Sequence, residues 1–161
     1  MKINITTTID LDNIKVTNAI AGVVNGAFET GINPAWFEVK SLSKDGFLDA
    51  AFADGDLDTP SGKPAKTNWT LEARLNDQEG YKSKWVVLTP EYCVKQWVKM
   101  STDKDLKFLD KKAKAYLDYL VALSDGLEDK AESILFDQYE PDGVHDDALA
   151  QYAIAGEVVF G

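Results

Sequence analysis

The sequence predicts an α+β fold. A largely antiparallel four-stranded sheet in the order β-α-β-β-β comes first, and three or four helices packed on one face follow it. Three observations carry this. Apolar and polar residues alternate with period two in residues 2–9, 35–42, 67–75 and 81–88. After Thr89 the apolar residues recur at helical spacing instead. With 161 residues, 45% of them apolar, the chain suits a single domain over 1–161 with one core.

The first strand, 2–9, places Ile3, Ile5, Thr7 and Ile9 on one side. Asp10 or Asp12 then caps a helix over 13–28. That helix carries one apolar row at Ile14, Ala21, Val24 and Phe28 and a second at Val16, Ile20, Val23 and Ala27, so it is expected to be well buried. Gly31 and Asn33-Pro34 end it. Residues 35–42 form a second strand, Lys44-Asp-Gly46 turns, and 47–52 form a short element. Residues 54–66, with Gly55, Pro60, Gly62 and Pro64, read as a loop. Residues 67–75 set Trp69, Leu71, Ala73 and Leu75 against Thr70, Glu72 and Arg74, and they pair with 81–88 as a hairpin.

Thr89-Pro90-Glu91 starts a helix, with Thr as cap, Pro at the first helical position and an acid in the first turn. Ser101 or Thr102 caps the next, whose apolar stripe is Leu106, Leu109, Ala113, Leu117 and Leu120. Ser124-Asp-Gly126 breaks it. Leu127, Ala131, Ile134 or Leu135, and Tyr139 mark a third helix, and Glu140 to Gly143 a turn. A last helix capped by Asp146 or Asp147 runs to Ala155. Gly156 stops it, and 157–160 form a strand-like tail.

Charge is unevenly distributed. Residues 61–119 hold 12 basic residues and 8 acids, while residues 120–161 hold Lys130 alone against 10 acids. The formal net charge is −10. Such a surface repels phosphates and anionic membranes and attracts basic proteins. Arg74 is the only arginine, which argues against direct, sequence-specific DNA binding. No apolar run approaches the ~20 residues of a membrane span, so no membrane association is expected. A single cysteine, Cys93, excludes an intramolecular disulfide and fits a reducing cytoplasm.

Residues that could carry chemistry have competing structural readings. Cys93 with His145 could be nucleophile and base, but Cys93 falls in an apolar helical pattern with Val94 and Trp97. Asp54-Gly-Asp-Leu-Asp58 opens like a calcium loop, yet Thr59 and Ala65 stand where Gly and a bidentate Glu belong. Asp142, His145, Asp146 and Asp147 could hold a hard metal, although adjacent acids also suit a helix start. Neither pattern is assigned a metal, and no catalytic residue or cofactor is assigned. Lys104, Lys107, Lys111 and Lys114 share a helical face, with Asp103 and Asp110 placed to neutralise Lys107 and Lys114. Trp36, Trp69, Trp85 and Trp97 read first as core. Trp69, following the polar loop, is the one expected to be exposed.

Several stretches resemble a loose group of small uncharacterised proteins encoded by bacteriophages and prophages. They are Ala35-Trp-Phe-Glu-Val39, Trp85-Val-Val-Leu-Thr-Pro90, and the ending Asp146-Asp-Ala-Leu-Ala-Gln-Tyr-Ala-Ile-Ala-Gly-Glu-Val-Val-Phe-Gly161. The resemblance covers about a quarter of the chain and supplies no catalytic residues. It implies a phage accessory gene product in the host cytoplasm. A structural reading stands beside it, in which the Gln-Tyr-Ala helix and Gly156 dock the C-terminus onto the sheet.

The expectation is therefore a non-enzymatic phage accessory protein that binds and inhibits a host protein. Its concrete form is an anti-defence, anti-CRISPR-like factor whose acidic surface occupies a nucleic-acid-binding channel, with Asp137, Glu140, Asp142, Asp146 and Asp147 as contacts. The alternative is a small-molecule or nucleotide-signal sequestering protein. There Trp36 or Trp69 would stack on the base, with Arg74, Lys63 and Lys66 near phosphates.

Overall fold

A computed structural model of the chain describes residues 2–4, 8–30, 34–42, 67–77 and 79–160. Its elements in chain order are β1 (Lys2–Asn4), β2 (Thr8–Asp10), α1 (Ile14–Thr30), a 3-10 turn (Pro34–Trp36), β3 (Phe37–Leu42), β4 (Leu71–Leu75) and β5 (Val86–Leu88). Then follow α2 (Pro90–Ser101), a second 3-10 turn (Lys104–Leu106), α3 (Leu109–Ser124), α4 (Glu128–Ile134) running into a π-helical turn (Leu135–Tyr139), and α5 (Gly143–Ala155).

The fold is α+β, but the four-stranded sheet is corrected. Three strands, in the order β3-β4-β5, form an antiparallel sheet. The N-terminal segment does not join them. β1 pairs with β2 as a separate antiparallel ribbon, Ile3 opposite Ile9. This ribbon is held at the C-terminal end of α3: the Asp10 amide donates to Ser124 Oγ (2.9 Å), and Ile9 is fully buried. Lys2–Asn4 and Thr8–Asp10 thus pair with each other, and the Asp10 amide finds its partner on a helix end, without recourse to the edge of the main sheet. The short element expected at 47–52, the loop at 54–66, Lys63, Lys66 and the incomplete calcium pattern lie outside the described residues.

Alternation along β4 works as the sequence implies. Leu71, Ala73 and Leu75 are buried while Glu72 and Arg74 reach partly into solvent. The buried face packs on α5, which also touches α1, α2 and α3. All eight residues from Asp147 to Ile154 are buried, so α5 is the central helix of the core. A helix buried on every side has no polar face to spare, and its alanines (Ala148, Ala150, Ala153) let neighbours approach closely.

Side chains on neighbouring elements bind backbone groups of α5. Trp97 Nε1 donates to Leu149 O (2.9 Å) and Gln96 Nε2 to Tyr152 O (3.3 Å). Gln151 reaches the other way. Its Oε1 accepts from the Val159 and Phe160 amides (2.9 and 2.8 Å), and its Nε2 donates to Phe160 O (3.1 Å). Phe160 then packs on Trp36 and meets Tyr81 edge-on, at ring-centroid distances of 4.8 and 5.6 Å. Gly156 takes the left-handed conformation (φ 72°) that lets the chain leave α5 toward this site. The Gln-Tyr-Ala and Gly-Glu ending is therefore explained by docking of the tail.

Helix starts divide into those read correctly and those displaced. Thr89 caps α2 as expected, its Oγ1 accepting from the Tyr92 amide (3.1 Å) with Pro90 at the first helical position. Thr89→Ala should cost about 1 kcal/mol of stability, read as a lower urea midpoint. For α1, Asn13 does the work expected of Asp10 or Asp12, accepting from the Lys15 amide (2.9 Å). For α5 the cap is Asp142, accepting from the Val144 amide (2.8 Å), and not Asp146 or Asp147. The cap of α1 lies one to three residues later than expected and that of α5 four or five residues earlier, so Asp146 and Asp147 fall inside α5 and not at its start.

Candidate interaction site

The acidic C-terminal third divides in two when folded. Asp147 is buried (2% exposed) in the core helix, and Asp146 is half-buried against Tyr139, whose hydroxyl donates to Asp146 Oδ1 (2.6 Å). These two expected contacts face inward. Asp137, Glu140 and Asp142 are exposed. They belong to an arm, residues 125–142, that carries seven acids and Lys130 as its only cation. Asp125, Glu128, Asp129 and Glu132 complete the set, all exposed.

The arm has its own small apolar contact. Ala131 and Ile134 pack with Ala122, Tyr119 and Leu123 of α3, apart from the main core. Beyond Ile134 the helix widens into a π turn, closed by Glu140 in the left-handed region (φ 56°), whose amide donates to Leu135 O (2.9 Å). A π turn inserts an extra residue and re-aims the side chains around it. Phe136 lies in this turn at 59% exposure, and Leu127 stands at the arm's start at 47%. Large apolar side chains this exposed, set among acids, are the composition of an interface anchor with a polar rim. Lys112 ties the arm's end to α3 by donating to Gln138 O (3.0 Å) beside Glu140.

A cleft of about 400 Å³ separates the arm from α1. Lys15, Asn18 and Ala19 line it from α1, Tyr119 and Leu123 from α3, and Glu128, Ala131, Glu132 and Leu135 from the arm. Lys15 and Glu128 form an ion pair across it. Asn18 is 8% exposed, and neither atom of its carboxamide has a hydrogen-bond partner among the described residues. A buried polar group left unsatisfied costs about 1–3 kcal/mol. Asn18 is not among the site residues that the sequence points to. Its signal was a polar residue seven before Asn25, within a helix whose two other faces are apolar.

The alternative ligand set is not brought together. Trp69 is fully buried, correcting the expectation that it is exposed, and its Nε1 donates to Thr17 O (3.1 Å). Trp36 is covered in part by Phe160. Arg74 is engaged on the outer face of the sheet: its Nε donates to Glu38 (2.5 Å) and its guanidinium lies 4.6 Å from the Trp85 ring centre. The hydrogen bond from Arg74 holds the Glu38 carboxyl below its ordinary range.

Cys93 is fully buried and burial pushes its thiol far up, opposite to what a thiolate nucleophile requires. His145 Nδ1 lies 2.8 Å from Glu140 O, and its ring meets Phe108 and Tyr139. Among the described residues no three His, Cys, Asp or Glu side chains group as metal ligands. The lysine row is broken, because Lys104 and Lys107 precede the start of α3 at Leu109. Lys114 pairs with Asp118 (2.5 Å) instead of Asp110, while Asp103 caps the second 3-10 turn and accepts from Tyr152. Among the described residues no helix is long and apolar enough to cross a membrane.

Comparison of the chain with protein-family models, with curated proteins and with solved structures finds no match.

Proposed function

We propose that this chain is a non-enzymatic binding protein whose arm, residues 125–142, docks on a basic protein surface. In its concrete form it is a phage accessory factor that occupies the nucleic-acid-binding surface of a host defence protein in the host cytoplasm. The observation that carries this reading is Phe136, 59% exposed on a π turn next to Asp137, in an arm that holds seven acids. Exposing a phenylalanine has no folding benefit, whereas an aromatic anchor inside a charged rim gives both affinity and steering. Seven acids on one short segment supply the long-range attraction, which selects basic partners and weakens with salt.

The test uses two variants chosen to leave the fold intact. One is the triple replacement Asp125→Lys, Asp129→Lys and Asp137→Lys, which avoids the helix cap at Asp142 and the cleft. The other is Phe136→Ala. A partner captured by the wild-type protein from nuclease-treated bacterial lysate is purified, and its affinity for each variant is measured. Each variant should bind at least about tenfold more weakly, a loss of about 1.4 kcal/mol. Unchanged affinity in both would remove the arm as the contact.

A further inference from the structure

We infer that the open edge of β5 takes an extended, acidic segment of a partner protein as a fourth strand of the sheet.

Three features carry this. First, β5 ends the sheet: the strand order is β3-β4-β5, and among the described residues no strand pairs with its outer edge. The Ser83 amide donates to Leu75 O (3.0 Å), so Leu75 turns its polar groups toward the β5 side. The Asn76 amide donates to Trp36 O (2.8 Å), on the β3 side. By this alternation Ala73 and Leu71 also face β5, and their register partners Val86 and Leu88 face back. Val87, between them, turns its N–H and C=O to the open edge. Such groups are the template on which an added strand forms its hydrogen bonds.

Second, the side chains at this edge offer a seat. Val87 is 52% exposed and Trp85 37%. The Arg74 guanidinium lies 4.6 Å from the Trp85 ring centre and is itself held by Glu38, so the aromatic is steadied before anything binds. An ordered ring beside a strand edge receives an apolar side chain of the added strand at little entropic cost.

Third, charge selects the partner. Lys82 and Lys84 lead into β5, both exposed, and neither forms an ion pair among the described residues. Glu38, the acid that Lys82 acts on, is already engaged by Arg74 and Asn76. The two lysines repel a basic strand and admit an acidic one. Pro90 has no N–H and opens α2, so it closes the edge, and the segment that fits is short, about five residues. The inference does not depend on the arm binding a protein.

The experiment titrates the isotope-labelled full chain with three probe peptides and reads the Val87 and Trp85 amides by NMR. The first alternates glutamate and valine over about seven residues. The second has lysine in place of glutamate. The third is the first with every backbone nitrogen methylated, which removes its donors. Saturable shifts at Val87 and Trp85 are expected with the first, weakening as salt is raised. The other two should bind there at least about tenfold more weakly. The double variant Lys82→Glu and Lys84→Glu, at exposed positions, should reverse the order of the first two peptides. Val87→Pro removes the outward N–H at a position where an edge strand tolerates proline, and should weaken the first peptide by at least about tenfold. The triple lysine variant of the arm should bind the acidic peptide at least as tightly as the wild-type protein, so loss of the arm as a contact leaves this result standing. The proposal is overturned if the first peptide gives no saturable shifts at Val87 at millimolar concentration. It is equally overturned if the methylated peptide binds as well as its parent, or if the double variant keeps the wild-type order. A Val87 amide that shifts with protein concentration alone would also overturn it, because a second copy would then cover the edge.

Discussion

Trp69→Ala should lower stability by about 3–5 kcal/mol, the cost of a large core truncation. Two terms add. The fully buried ring leaves a cavity between α1 and the start of β4, and the Thr17 carbonyl loses the indole N–H that it accepts at 3.1 Å. That carbonyl lies within a helix and can still serve the ladder of α1 with its other lone pair, so the cavity dominates. Trp69→Phe keeps most of the volume and loses the N–H, and it should cost only about 1 kcal/mol. Urea unfolding followed by far-ultraviolet circular dichroism separates the two. A Trp69→Ala protein with an unchanged midpoint would mean that the ring is not core. The same variant discriminates between roles, since a stacking tryptophan would reduce ligand affinity while leaving the midpoint near its original value.

Trp69 also shows why some of this molecule was legible and some was not. Two arguments met at that residue. Alternation put it on one side with Leu71, Ala73 and Leu75, all of which are buried. Proximity to a polar loop put it in solvent. Alternation was the physical argument, because it follows from the pleat, and loop proximity was only a correlation. The hairpin of β4 and β5 and the start of α2 were legible for a similar reason: pleat, turn and cap chemistry are local. Pairing of the N-terminal strand was not. Nothing within 2–9 says whether its partner will be a sheet edge or its own continuation, and a contact with Ser124, 114 residues away, is decided by tertiary packing.

The candidate site divides along the same line. A count of acids found the charge of the C-terminal third, but which acids face solvent depends on where α5 begins. With Asp142 as cap, Asp146 and Asp147 turn inward, and the exposed charge moves back onto the arm, residues 125–142. Asn18 was harder still. Its two orphaned atoms are a property of what surrounds α1, to which the segment's own residues contribute little.

Asp146 gives the last expected result, in the pH dependence of stability. Its carboxyl is raised above the ordinary aspartate value, first by burial and then by Asp147 and Asp142, against the opposing effects of the Tyr139 hydroxyl and His145. On its other side α1 runs close enough that a side-chain carbon on Gly26 would sit 3.4 Å from Asp146 Oδ2. Because its folded value lies above its unfolded value, the native state holds the proton where the unfolded state has released it. Stability from this group is complete below the unfolded value near 3.8 and falls as pH rises through the raised folded value. This is opposite in sign to the carboxyls of half-buried Glu38 and exposed Glu128, which Arg74 and Lys15 hold low and which lose stability as pH falls. Asp146→Asn keeps an acceptor for Tyr139 and removes the buried charge. It should therefore raise the melting temperature at pH 7 and leave it little changed at pH 3. Tyr139→Phe does the reverse, leaving a carboxylate buried without its 2.6 Å donor, and should cost about 1.5–3 kcal/mol at pH 7. Thermal melts of the three proteins from pH 3 to pH 8 check this, and an Asp146→Asn protein less stable than wild type at pH 7 would show that the carboxylate is better solvated than its burial implies.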